Sequence, residues 1–165
     1  MLMFKKHAPV KGVMAAALLG ITFAACNDNN DNDIPQFRSK EYSLKGVKGA
    51  DSNVVVGTVQ LAENADSSVS LTVMLNKSVK GTAQVIRLIS GSIAAPGTDT
   101  LKVDSVAGTG GAVSKALFRN IREIVAGNDT IPFRYDSALN YAAFVKVSVL
   151  EDSVTAIGNI LKGAQ

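Results

Sequence analysis

The 165-residue sequence lacks tryptophan and contains one histidine and one cysteine. His7 and Cys26 both precede residue 27, so the rest of the chain has none of these three residue types. Histidine acid–base catalysis, a Ser-His-Asp triad and a cysteine nucleophile are therefore excluded beyond Cys26. Zinc sites and haem ligation that use His or Cys are also excluded, which leaves oxygen ligands and calcium as the realistic metal. We expect no cofactor, metal site or disulfide there.

The net charge of the whole sequence, +3, comes from its first 25 residues. They contain three of the 17 Lys and Arg residues and no Asp or Glu, so the remaining chain has 14 basic and 14 acidic residues. Because no positive excess remains, composition gives no argument for a nucleic-acid partner. Aromatic residues make up only 5% of the chain, and a sugar-stacking platform would need several of them exposed together.

Residues 1–25 have the pattern of a signal peptide. Three lysines precede an apolar stretch at residues 13–23, and no acidic residue occurs before Asp28. The stretch is shorter than the roughly 20 apolar residues of a membrane-spanning helix. It ends in Phe-Ala-Ala-Cys, which resembles the lipobox of bacterial lipoproteins and implies cleavage between Ala25 and Cys26 with acylation of Cys26. The competing interpretations are an uncleaved membrane anchor and a secretory signal that leaves a free thiol.

The residues after Cys26 have the composition of a tether. Residues 27–33 are all Asn or Asp and offer no apolar group to bury, so we expect a flexible, solvated segment over residues 26–38. An acidic stretch directly after a lipidated cysteine resembles the export signal of surface-displayed lipoproteins in one large group of diderm bacteria. We therefore predict an outer-membrane lipoprotein, surface-exposed or facing the periplasm, which contacts the membrane through its lipid.

Beyond the tether, apolar residues recur with period two, as in half-buried strands. Turn residues separate short runs that are rich in Val, Ile and Thr. These runs cover residues 42–47, 55–61, 69–75, 83–90, 98–106, 131–135, 145–149 and 154–161. We predict one all-β domain over residues 39–165, an Ig-like β-sandwich of about seven to nine mostly antiparallel strands.

Two segments depart from simple alternation. The apolar spacing of residues 113–125 fits an amphipathic helix, but also fits a strand that breaks near Asn120, which we favour. A helical turn is expected at residues 136–139, because Asp136 is a good N-cap residue.

Three stretches resemble parts of a known domain: residues 56–61 with an internal glycine, residues 69–75, and the pair 141–149 and 154–160 as a closing hairpin. Their order resembles the CHRD domain, an all-β module first described in chordin and common in bacterial exported proteins. The pair of histidines that the family carries after the second strand is missing from the corresponding residues 83–88. The resemblance implies a β-sandwich and no functional residue.

Asp followed by Ser or Thr and then an aliphatic residue occurs five times, where composition predicts about one or fewer. The pattern resembles the O-glycosylation acceptor of the same bacterial group. The alternative is that Asp caps turns while Ser or Thr begins strands. The candidate acceptor hydroxyls belong to Thr100, Ser105, Thr130, Ser137 and Ser153.

The functional prediction rests on the predicted export and lipid anchor and on the catalytic residue types that are missing beyond Cys26. We predict no enzyme, but a non-catalytic binding, adhesion or envelope-assembly module with an unidentified protein or glycan partner. The alternative is a glycan hydrolase that uses two carboxylates, which must converge in a cleft at about 5 to 9.5 Å.

Overall fold

The computed structural model describes residues 37–48, 52–149 and 153–165. The predicted signal peptide, the predicted cleavage site at Ala25 and Cys26, and most of the predicted tether lie outside these residues. The described part contains ten strands and one short α-helix, and none of its helices has the length and apolarity needed to span a membrane. The elements are β1 Ser39–Gly46, β2 Val55–Glu63, β3 Val69–Leu75, β4 Ala83–Gly91, β5 Pro96–Ala107, β6 Val113–Ile121, β7 Glu123–Ala126, β8 Asp129–Pro132, α1 Tyr135–Leu139, β9 Ala142–Ser148, β10 Val154–Leu161 and a 3-10 helix Lys162–Ala164.

Eight strands form one antiparallel sheet in the order β5-β4-β9-β10-β1-β2-β3-β6, while β7 and β8 pair separately. The first and last strands of the large sheet meet. Lys115 Nζ of β6 lies 3.0 Å from Asp104 Oδ1 of β5, and Lys102 Nζ of β5 lies 5.8 Å from the ring centroid of Phe118 on β6. The predicted all-β, mostly antiparallel fold is confirmed, and the large sheet curls until it is nearly closed into a barrel.

The core follows from the period-two pattern. Along β3, Val69, Leu71, Val73 and Leu75 are all at most 5% exposed, whereas the residues between them are half-buried. Burying one such aliphatic side chain stabilises a fold by about 1.5–3 kcal/mol. Because successive strands repeat this alternation, their inward residues form one hydrophobic cluster inside the curled sheet.

The ambiguous segment 113–125 forms two strands, so the strand prediction is confirmed and the helix alternative is wrong. β6 ends at Ile121 and β7 begins at Glu123, close to the break expected at Asn120. Asn120 has a φ of 51°, a left-handed conformation that Asn tolerates better than most residues. The helical turn at residues 136–139 is confirmed by α1, but its N-cap is Arg134, and Asp136 lies inside the first turn rather than at the cap. The strand expected at residues 131–135 is shorter than predicted, because the chain leaves β8 at Pro132.

The two ends of the curled sheet differ. At the closed end, where β1 begins, the β7–β8 hairpin and α1 add Ile124, Phe133 and Ala138 to the core. Phe133 is fully buried, with its ring centroid 6.1 Å from that of Phe118. At the open end, where β1, β3, β5 and β9 finish, the described connecting residues form loops.

Candidate functional site

A cavity of about 530 Å³ lies at the open end. This volume falls within the range of small-molecule sites, about 300–1,000 Å³. Its walls come from the ends of β2, β3, β4 and β10, from Lys48 beyond the end of β1, and from the two loops at residues 76–82 and 108–112. The lining residues are Lys48, Val56, Leu75, Lys77, Ser78, Val79, Lys80, Gln84, Gly110, Thr155 and Ala156.

Two β-bulges shape the cavity. On β2, Val56 has no Cα partner on β1, because Leu44 pairs with Gly57 and Lys45 with Val55. On β10, Thr155 is skipped in the same way between residues that pair with Val147 and Ser148. Bulges are common at the rims of barrels and beside functional sites, because they re-aim a side chain. Here both bulged residues line the cavity.

The cavity wall is mostly apolar with one buried amide. Leu75 and Ala156 are 5% and 2% exposed, and the bulge lets Val56 pack against the core. Gln84 is also only 2% exposed, and its Nε2 donates a hydrogen bond of 3.2 Å to the Thr82 carbonyl oxygen. This bond fixes the carboxamide in the wall, because a buried amide without a partner would be costly.

The rim of the cavity is positively charged. Lys48 follows β1, while Lys77 and Lys80 lie in the 76–82 loop, and all three side chains are exposed. No Asp or Glu is among the described lining residues, and none of the three ammonium groups lies within 4.0 Å of a described carboxylate. The rim therefore favours an anion.

The wall between the 76–82 and 108–112 loops is held rigidly. The buried Ser78 hydroxyl donates to the Gly111 carbonyl oxygen at 2.7 Å and accepts from the Thr109 backbone N–H at 3.0 Å. The backbone N–H of Gly81 donates to the Gly108 carbonyl oxygen, also at 3.0 Å. Because these bonds join the two loops through groups of the chain itself, they lower the cost of ordering the loops on binding.

A second, larger groove of about 660 Å³ follows the seam between β1 and β10. The two strands form ladder pairs only at Lys45 with Ile157 and at Gly46 with Ala156. Lys45 is the one charged residue among its described lining residues. The groove thus lacks the convergent charge of the open-end cavity.

No protein-family model, curated protein or solved structure matches this chain. The CHRD resemblance therefore stays a prediction, and the site is interpreted from its own geometry.

The five candidate acceptor hydroxyls differ in exposure and in hydrogen bonding. Thr100, Ser105 and Thr130 are exposed on strands β5 and β8, while Ser137 and Ser153 are half-buried. Ser137 Oγ is also engaged: it accepts from the Arg134 backbone N–H at 2.9 Å and lies 3.1 Å from the Arg134 carbonyl oxygen, closing the first turn of α1. Exposure and bonding therefore favour Thr100, Ser105 and Thr130 as acceptors.

Carboxylates converge at Arg38, where the chain enters β1. Arg38 Nε lies 2.7 Å from Glu63 Oε2, Nη1 lies 2.7 Å from Asp136 Oδ1, and the guanidinium carbon is 4.5 Å from the Tyr135 ring centroid. The hydrogen bonds from Arg38 hold the pKa of Glu63 and of Asp136 below the usual values. The general acid of a glycan hydrolase needs a raised pKa, so this pair does not suit it.

No group of three or more Asp, Glu, His or Cys residues is placed to hold a metal ion anywhere in residues 37–48, 52–149 and 153–165. Buried Tyr42 also has a shifted pKa: burial, together with the nearby Tyr135, raises the pKa of its hydroxyl. This hydroxyl has no hydrogen-bond partner among the described residues. Tyr42 lies among the lining residues of the groove between β1 and β10, where Lys45 is the one described charged neighbour.

The Arg38 cluster predicts a pH-dependent contribution to stability. A carboxylate whose pKa falls on folding stabilises the protein above its unfolded pKa, and this contribution is lost as pH falls through the folded pKa. Arg38→Ala should therefore lower Tm at pH 7, and the difference should shrink at pH values below about 4. Thermal unfolding from pH 7 to 3, with Arg119→Ala as an exposed control, measures this. An equal difference at pH 7 and pH 3 would contradict it.

Proposed function

We propose that this protein is a membrane-anchored, exported binding module whose ligand occupies the open-end cavity. The observation that carries the proposal is the cavity itself, whose lining combines a largely apolar wall with three exposed lysines. Its described lining contains no carboxylate, and the hydroxyl of its one serine, Ser78, is already hydrogen-bonded to backbone groups. Such a lining binds a ligand but offers neither an acid–base pair nor an activated nucleophile.

The position of the cavity supports this role. The proposed tether leads into β1, which begins at the closed end, whereas the cavity lies at the other end of the same strand. The twelve residues from 27 to 38 could span up to about 40 Å when extended. A domain attached in this way would present its open end opposite the point where the tether joins it.

The binding role is tested by filling the cavity. Val56→Phe places a larger side chain at the cavity wall, while Val55→Phe makes the same change at the neighbouring position, which is 46% exposed and outside the lining. Tagged protein is purified from native membranes, and retained small molecules are identified by mass spectrometry. We expect a molecule with the wild type and with Val55→Phe that is lost with Val56→Phe. A molecule retained equally by all three would count against the cavity.

The membrane address is tested at the proposed lipidation site. Cys26→Ser should abolish acylation and release the protein from the membrane fraction, because the lipid is the proposed anchor. Metabolic labelling with a palmitate analogue and fractionation measure both effects. Asn27→Ser, one residue later, is the matched control. Full membrane retention of the Cys26→Ser protein would show that another segment anchors it.

O-glycosylation is proposed at the exposed acceptors. Replacing Thr100, Ser105 and Thr130 by Ala should remove the glycan mass from protein purified from the native host, because these hydroxyls are accessible. Ser137→Ala should leave that mass unchanged, since the hydroxyl is held within α1. Intact-mass spectrometry distinguishes the two variants. A wild-type mass equal to polypeptide plus lipid would rule out the modification.

A further inference from the structure

We propose that the open-end cavity binds a small amphipathic anion, that is, a molecule with an apolar chain or ring system and one carboxylate or phosphate group. This inference rests on the proposed function and names its ligand class. It joins two observations about one site, the charge of its rim and the apolarity of its wall.

The rim supplies the anion-binding half. Lys48 follows β1, whereas Lys77 and Lys80 lie in the 76–82 loop, so two separate segments contribute lysines to the cavity lining. The stem of Lys80 passes close to Gly110, where an added Cβ would lie 3.4 Å from the Lys80 Cβ. Lysine ammonium groups are flexible point charges, which suits a head group of either geometry, carboxylate or phosphate.

The wall supplies the apolar half. Val56, Leu75 and Ala156 present only hydrocarbon, and Val79 continues this surface to the mouth, where it is 49% exposed. An inorganic anion would leave this wall in contact with water, whereas an attached apolar group would cover it. The apolar part of the ligand therefore lies along the wall, with its charged group at the lysines.

Other ligand classes fit less well. No aromatic residue is among the described lining residues, so the cavity has no platform on which a sugar ring or a nucleobase could stack. The three lysines in the same lining make a cationic ligand unfavourable. An amphipathic anion uses both halves of the site at once.

The experiment measures binding of laurate by calorimetry to the full exported chain carrying Cys26→Ser, which needs no detergent. Laurate should bind at least about 10-fold more tightly than its neutral analogue dodecanol, which lacks the negative charge. It should also bind at least about 10-fold more tightly than inorganic phosphate, which lacks the apolar chain. Phosphate binding as tight as that of laurate would overturn the proposal.

Two matched pairs of variants locate the binding. The triple variant Lys48→Glu, Lys77→Glu and Lys80→Glu should weaken laurate binding at least about 10-fold, since each attraction becomes a repulsion. The control is a second triple variant, which changes the net charge by the same amount at exposed positions outside the cavity lining: Lys40→Glu, Arg119→Glu and Lys162→Glu. It should change the affinity for laurate less than about 2-fold. Val56→Phe should also weaken binding, and Val55→Phe should not. Equal losses in both charge variants would overturn the proposal.

Vesicles then distinguish the two sources of such an anion. Binding to phosphatidylglycerol but not phosphatidylcholine vesicles, with competition by laurate, supports a lipid head group and its chain. Laurate binding without vesicle binding supports a soluble organic acid. If laurate does not bind but Val56→Phe still loses the molecule retained from native membranes, the ligand class is wrong and the binding role stands. If Val56→Phe keeps that molecule, both proposals fail.

Discussion

Phe133→Ala should lower the free energy of unfolding by about 3–5 kcal/mol. The Phe133 side chain is fully buried at the closed end, and its backbone N–H donates a 2.7 Å hydrogen bond to the Arg122 carbonyl oxygen. Removing the ring would leave a void between the β8–α1 connection and the sheet, because neighbouring groups that are held by backbone bonds can close it only in part. Equilibrium unfolding in urea gives the loss directly.

The control for this prediction is Phe37→Ala. Phe37 is 55% exposed, so the same truncation there should cost less than about 0.5 kcal/mol. A loss below 1 kcal/mol at Phe133 would mean that the closed end is not packed as described. A large loss at both positions would point to an effect on the unfolded chain instead.

Gly108→Ala should destabilise the protein by about 1–3 kcal/mol or more and should weaken ligand binding at the open end. A Cβ at residue 108 would overlap the Val79 carbonyl oxygen and would lie only 2.6 Å from the carbonyl oxygen of Thr82. Both oxygens belong to backbone, so relief requires the turn at residues 79–82 to move. That turn carries Lys80 and forms one wall of the cavity.

Gly111→Ala makes the matched change in the same loop. The nearest described atom to its added Cβ is Thr109 Oγ1 at 3.9 Å, an ordinary contact. Urea unfolding and laurate calorimetry on both variants separate a local clash from a general effect of alanine. Unchanged stability in Gly108→Ala would show that the 76–82 loop does not pack against it.

The period-two alternation of apolar residues predicted the strands, because a strand that is buried on one face needs an apolar residue at every second position. The runs at residues 69–75 and 154–161 match β3 and β10 in full. The alternation could not predict how the strands pair. A single curled sheet and a sandwich of two stacked sheets bury the same face of each strand, so both give the same pattern. The end of β8 was missed because residues 131–135 continue the apolar pattern, whereas Phe133 and Tyr135 are buried from a loop and a helix.

The cavity was not predicted from the sequence. Val54, Val55 and Val56 are consecutive, so their identity does not show which one a bulge turns towards the core. Lys48 and Lys77 are far apart in the chain, and only the strand register brings both of them to the same cavity. The run from Asn76 to Gly81, with two lysines between two strands, is the signal that could have drawn attention to this loop.

The clamp formed by Arg38 with Glu63 and Asp136 also has a mechanical meaning. It holds the residue just before β1, where the proposed tether joins the domain, to the end of β2 and to α1. A pull on the proposed anchor, as in flowing liquid, would therefore load these ion pairs together with the backbone hydrogen bond from Glu63 N–H to the Arg38 carbonyl oxygen. Force would enter the fold through three elements at once, so β1 would not be peeled away alone.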